Sequence, residues 1–206
     1  MLYFLFKGGP VVIPLLLVSV FGLAIILDRL VAIRRVYRFN MGKFSETVCR
    51  KISTGKLEDA LNFSRQHQDQ PIGLMFTSAL ENNELTRPSL EKLLERVGNH
   101  EVKKLEKRLG GLVSIVGISP LLGFLGTITG LIRAFMAWEK MGNDVTVSAL
   151  ASGIYEAMIT TAIGLMIAIP YYLCYNYFIS RIKYFAHELD DYAGQLLEAM
   201  AKAKFL

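Results

Sequence analysis

The chain has 206 residues, 52% of them hydrophobic, with a net charge of +5 and a mean hydropathy of +0.37. That length suits one ordinary domain, but the apolar fraction exceeds what a soluble enzyme needs. A pI of 9.2 could suggest nucleic acid, yet no run of five basic residues occurs and acidic residues interleave throughout, so no nucleic-acid partner is expected.

Three apolar runs, residues 11–27, 112–137 and 153–179, are nearly free of charge, and each is close to the roughly 20 residues that cross a bilayer as helix. The reading is an all-α membrane protein with three transmembrane helices. Lys7 precedes the first run and Asp28-Arg29 follow it in place of a small-residue cleavage site, so it reads as a retained span and not a removed signal peptide.

Residues 28–110 carry 16 Lys/Arg against 11 Asp/Glu, and the remainder carries seven of each. The whole charge excess therefore lies in one loop. Arg29, Arg34, Arg35, Arg38 and Lys43 follow the first span, and Arg96, Lys103, Lys104, Lys107 and Arg108 precede the second, whereas only Lys140 lies between the second and third. The positive-inside rule then places the N-terminus outside, the long loop inside and the C-terminal tail inside. The expected organisation is an N-terminal segment and first span over 1–30, a cytoplasmic helical domain over 31–110 and a second span over 111–137. A short outer loop over 138–152 follows, then a third span over 153–180 and a cytoplasmic helical tail over 181–206.

The long loop has its own helical signals. Leu57, Ala60, Leu61 and Ser64 share a face after Thr54-Gly55, and Pro71 suits a first helical turn. From Pro88 the positions Leu90, Leu93, Leu94, Val97, Leu105 and Leu109 keep three- and four-residue spacing up to the second span, which predicts one helix running from cytoplasm through membrane. After the third span, Ile182, Phe185, Leu189, Tyr192, Leu196 and Met200 form a similar stripe. Spans two and three thus extend into long cytoplasmic helices, each roughly 45–50 residues, or about 70 Å at 1.5 Å per residue. Their stripes need covering, which points to helix bundling and self-association. Cys49 and Cys174 fall in different layers and do not pair.

Span two carries small residues at Ser119, Gly123, Gly126, Thr127, Gly130, Ala134 and Ala137, and span three at Ser152, Gly153, Ala157, Thr160, Thr161, Gly164 and Ala168. Such stripes let membrane helices approach closely, where lipid supplies no hydrophobic drive. Glu156 is the one acidic residue within spans two and three. It is either a carboxylate at headgroup level or a group facing protein interior or a water-filled path. Helical spacing puts Glu156 and Thr160 on one face, with Thr161 about 100° around. Thr127 and Thr161 lie at one depth, roughly 12–14 Å from the outer ends of their spans. Their hydroxyls either bond back to their own helices or line a shared cavity. No second membrane carboxylate exists in these two spans to pass a proton onward, so a partner supplying one is inferred. Arg133 reads as a snorkelling residue, and His67, His100 and His187 lack metal-like spacing. Pro120 and Pro170 free backbone carbonyls within their helices. GxSxG, Walker A, GxGxxG and HExxH patterns are absent, and a lone carboxylate makes a poor enzyme site, so neither enzymatic activity nor a cofactor is expected.

The stretch ISPLLGFLGTITGLI at residues 118–132 and the stretch SGIYEAMITTAIGL at 152–165, followed by Ala168-Ile-Pro170 and Tyr175-Asn176, resemble the MotA/TolQ/ExbB proton-channel family. The wording of both stretches looks more like the ExbB branch than the TolQ branch, and MotA-like stators, with four spans, fit less well. The resemblance implies an inner-membrane stator unit, a homopentamer around single-span ExbD/TolR-like partners that each bear a membrane Asp. Proton flow would drive work on a TonB- or TolA-like protein. Residue by residue the resemblance implies an ion pathway through Thr127, Glu156 and Thr161; Thr160, on the face of Glu156, is read into the same pathway, and the small residues Gly123, Gly126, Gly130, Gly153, Ala157 and Gly164 as packing the helices around the pore. A TolQ-like envelope role and a non-conducting membrane scaffold are the alternatives.

Overall fold

The computed structural model of the chain describes residues 8–141 and 147–203, and all regular structure among them is helical. Seven helices follow in order: α1 Val12–Tyr37, α2 Met41–Ser53, α3 Leu57–Arg65, α4 Pro71–Glu81, α5 Arg87–Glu106, α6 Leu109–Met141 and α7 Val147–Lys202. They form two compact units, one from Met1–Asp28 with Arg108–Tyr177, the other from Arg29–Lys107 with Phe178–Leu206.

The first unit draws on α1, α6 and α7, and among the described residues three helices are long and apolar enough to cross a membrane. Large apolar side chains face outward on all three, among them Leu17 and Val20 of α1, Leu121 and Phe124 of α6, and Met158 and Met166 of α7. Small residues lie on the buried side: Ser119, Gly123, Gly126, Gly130 and Ala134 of α6, against Gly153, Ala157, Thr160, Gly164 and Ala168 of α7. The two helices run antiparallel with backbones nearly touching. A Cβ built on Gly123 would lie 3.0 Å from the Thr160 carbonyl oxygen, and one on Gly130 2.8 Å from that of Gly153. Pro120 and Pro170 both sit inside unbroken helices.

The first span reads from sequence as a plain anchor, but α1 carries a polar clasp. The Tyr171 hydroxyl donates to the Ser19 carbonyl at 2.6 Å, and the Tyr171 ring lies so close to Gly22 that a side chain there would collide with it.

In the second unit, α4 is the innermost helix. Pro71 opens it, where its missing N–H costs nothing, and Ile72, Met75, Phe76, Ala79 and Leu80 are fully buried. Phe44, Phe63, Phe76 and His67 form an aromatic cluster with ring centroids 4.9–5.6 Å apart, and the His67 ring nitrogen meets the Phe63 carbonyl at 2.9 Å. The tail of α7 buries Ile182, Phe185, Leu189, Leu196 and Met200, with Tyr192 half-buried. Ser45 donates to Gln195 at 3.3 Å, and Tyr37 to the Arg181 carbonyl at 2.8 Å. The chain thus covers this stripe itself, so the stripe is no argument for self-association. Cys49 and Cys174 are both free thiols, and burial pushes the Cys49 thiol above its ordinary value.

Two boundaries differ from the sequence reading. The helix expected to run unbroken from Pro88 through span two ends at Glu106 and restarts at Leu109, because Arg108 takes a left-handed conformation at φ 70. The last carbonyls of α5 lose their helical partners there, and Arg29 donates to those of Lys104 and Leu105, each at 3.1 Å. Arg108 itself pairs with Asp28 at 3.0 Å. Apolar periodicity passes through this break because Leu105 and Leu109 are buried on either side of it. The segment 138–152, expected as a loop, is helical up to Met141 and again from Val147; its middle, 142–146, lies outside the described residues.

Gly123→Ala should force α6 and α7 apart, because the added methyl meets backbone atoms that cannot rotate away, at a cost of about 1–3 kcal/mol. Phe76→Ala should cost about 3–5 kcal/mol through loss of a buried ring. Both are measured as falls in the thermal midpoint of the detergent-purified chain by circular dichroism, and an unchanged midpoint would contradict the packing described.

Candidate functional site

The polar groups of the first unit arise directly from the close approach of α6 and α7. Thr127 and Thr161 face each other across the contact, and their hydroxyls are hydrogen-bonded to one another. Each also reaches the opposite helix: Thr127 Oγ1 lies 3.2 Å from the Ala157 carbonyl, and Thr161 Oγ1 3.2 Å from that of Gly123. Thr127 also approaches its own helix at Gly123 O, 3.4 Å away. Of the two readings left open by the sequence, bonding back to its own helix holds in part for Thr127, while the main contacts of both hydroxyls run across to the facing helix and to each other at a part-buried position.

Counting protons shows what this pair can do. Two hydroxyls hold two protons; one closes the hydroxyl–hydroxyl bond and the other goes to a carbonyl. Oxygen lone pairs remain, because each hydroxyl can accept twice. The pair is thus an acceptor that can take a hydrogen bond from a protonated group or help to coordinate a cation. To donate to a carboxylate it must first break one of its own bonds.

Thr160 differs from its neighbour Thr161. It is fully buried, with its Oγ1 and Cβ packed most closely against Gly126 and its hydroxyl directed to main-chain oxygens of its own helix, Ala157 at 2.9 Å and Glu156 at 3.3 Å. Gly123, Gly126, Gly130, Gly153, Ala157 and Gly164 all lie in the helix contact.

Glu156 sits further along α7, with its side chain 18% exposed. Arg133 of α6 donates to Glu156 Oε1 at 2.5 Å, so the arginine read as snorkelling is paired. Gly9 lies directly over the pair: a Cβ there would overlap Glu156 Oε1 and come within 3.2 Å of Arg133 Nη1. Sequence reasoning missed Arg133 and Gly9 as neighbours of Glu156. For Arg133 the signal was available in the antiparallel register, since stripes that place Gly130 beside Ala157 also bring Arg133 close to Glu156. For Gly9 no periodicity applies, as it lies before α1. Among the described residues no group of three His, Cys, Asp or Glu is placed to hold a metal ion.

Residues 67–191 match the MotA/TolQ/ExbB proton channel family, a stretch that includes the whole α6/α7 contact. An ExbB homolog of Methanothermobacter thermautotrophicus is 30% identical over 176 residues, covering 85% of this chain and 62% of that protein. The ExbB-like 3 protein of Synechocystis is 30% identical over 192 residues, 92% of this chain and 90% of its own. The Tol-Pal system protein TolQ of Haemophilus influenzae is 33% identical over 107 residues, 52% of this chain and 46% of its own. The chain therefore spans less than two thirds of some of these relatives. With three apolar helices long enough to cross a bilayer, it is a multi-pass inner-membrane protein, and by its matched region and relatives it belongs to the MotA/TolQ/ExbB proton channel family.

Proposed function

We propose that this chain is the ring-forming channel subunit of an ExbB–ExbD-type complex, which uses the proton motive force to energise a TonB-like protein. The observation that carries the reading is the Thr127–Thr161 hydroxyl pair, part-buried between two closely packed apolar helices, with the ion-paired Glu156 further along the same contact. An acceptor pair of this kind suits a protonated carboxyl presented by a neighbouring helix. No second carboxylate lies in the second or third apolar run, so the titrating group comes from a single-span ExbD/TolR-like partner with a membrane Asp.

In this reading several copies of the chain, a pentamer in the family's arrangement, surround the partner. The N-terminus is periplasmic and the C-terminus cytoplasmic, an orientation that the Lys/Arg distribution supports. A proton enters near Glu156 and neutralises the partner's Asp, whose protonated form is accepted by Thr127 and Thr161. Neutralisation lowers the cost of moving that helix through an apolar contact, and the membrane potential supplies about 2.3 kcal/mol per charge per 100 mV. Thr160 serves the path indirectly, by fixing the α7 backbone at Glu156 and Ala157. The match to TolQ supports a second reading within the same class, a Tol-Pal-type envelope role with a TolA-like protein as output.

The test is proton uptake into vesicles that hold the chain together with a single-span, Asp-bearing partner, under an imposed membrane potential. Glu156→Gln and Thr161→Val should each lower the initial rate by roughly tenfold or more, equivalent to at least 1.4 kcal/mol, while the complex still co-purifies. A non-conducting scaffold predicts rates indifferent to both substitutions and to removal of the partner's Asp.

A further inference from the structure

Glu156 is held from two sides, by groups with different requirements. On one side is the Arg133 guanidinium, in contact through a single nitrogen and a single oxygen, with the arginine side chain 48% exposed against 18% for the glutamate. A carboxylate among apolar helices is costly unless paired, and Arg133 is the ion-pair partner the structure gives it. On the other side is the backbone of Gly9. Two features favour glycine here. Its φ is +65, in the left-handed region, which the following Pro10 disfavours further for any residue with a Cβ, and a Cβ would overlap Glu156 Oε1, so that the carboxylate would have to move. Gly9 is also tied to the start of α1, because its carbonyl accepts from the Val12 N–H at 3.3 Å. Gly8 continues the cover, where a Cβ would come within 3.2 Å of Ile159 Cγ2.

We propose that Arg133 and Gly9 are positioning residues for Glu156: the guanidinium holds the carboxylate at the α6/α7 surface, the Gly9 backbone closes over it, and an ion gains access to Glu156 when one of the two gives way. The importance of that access for conduction rests on the reading of Glu156 as part of the ion path; the clamp itself does not. Because the ion pair uses one nitrogen, lysine can replace arginine here, which it cannot do where both nitrogens engage.

The experiment uses membrane vesicles containing the full chain, treated with dicyclohexylcarbodiimide, with the adduct on the Glu156 peptide followed over time by mass spectrometry. Arg133→Gln and Gly9→Ala should each raise the labelling rate about tenfold, the size expected for loss of one coupled contact, and Arg133→Lys should stay within about threefold of the parent because the charge pair is retained. Arg133→Gln labelling at the parent rate would overturn the clamp, as would Arg133→Lys labelling as fast as Arg133→Gln. Proton uptake measured on the same variants separates the two ideas. If Glu156→Gln leaves uptake intact while Arg133→Gln speeds labelling, the clamp stands and the assigned path falls. If Glu156→Gln abolishes uptake while neither Arg133→Gln nor Gly9→Ala speeds labelling, the path stands and the clamp falls.

Discussion

The approach of α6 to α7 along their small residues is the constraint on which the rest of the first unit depends. In lipid, helices gain nothing from hiding apolar surface from each other, so association rests on van der Waals contact and hydrogen bonds. Gly123, Gly130, Gly153 and Gly164 bring the two backbones within the reach of a single methyl group. At that separation a threonine side chain can touch the carbonyls of the facing helix, as Thr127 does at Ala157 and Thr161 at Gly123. With bulky residues in the stripe, the same hydroxyls could bond only to their own helices. The glycines therefore decide whether the threonines are helix-capped and inert or joined across the contact.

Several polar groups placed among the apolar helices have specific partners. Ser19 and Tyr171 meet between α1 and α7, Thr127 and Thr161 between α6 and α7, and Arg133 and Glu156 at the same helix pair. The clasps between helices fix register as well as separation, which apolar contacts alone do poorly. They also differ in what they leave available. Tyr171 gives its one proton to a carbonyl, while the threonine pair retains acceptor capacity at a half-exposed place, and this difference singles out the threonines as the part of the network able to engage another group.

Much of this was legible in the sequence, because three-residue and four-residue spacing of small and apolar side chains is a direct projection of helix geometry. The spans, the α6 and α7 stripes, the common depth of Thr127 and Thr161, and the tail stripe from Ile182 to Met200 all follow from that projection. Features without periodicity were not legible. The break at Arg108 depends on one backbone angle and on Arg29, far away in sequence, reaching the carbonyls of Lys104 and Leu105. Gly9 acts through its missing side chain, and a lone glycine before a helix carries no directional information. The pairing of Arg133 was not legible because depth alone suggests snorkelling, whereas pairing depends on the register of two helices.

The self-contained packing of the second unit changes where an assembly must find its interface. The tail of α7 presses its apolar stripe against α-helical neighbours of its own chain, with Phe178, Ile182, Phe185 and Leu196 each no more than 2% exposed, so little apolar surface there is left to drive association. Most of the large apolar side chains left outward lie instead on α1, α6 and α7 of the first unit. Their burial against another copy gains little over burial in lipid. A preference for protein over lipid at those faces rests more on polar groups near the surface, and on α6 and α7 these include the Thr127–Thr161 pair and the Arg133–Glu156 pair. If these groups carry the ion as proposed, conduction and the recognition of a partner helix draw on some of the same side chains.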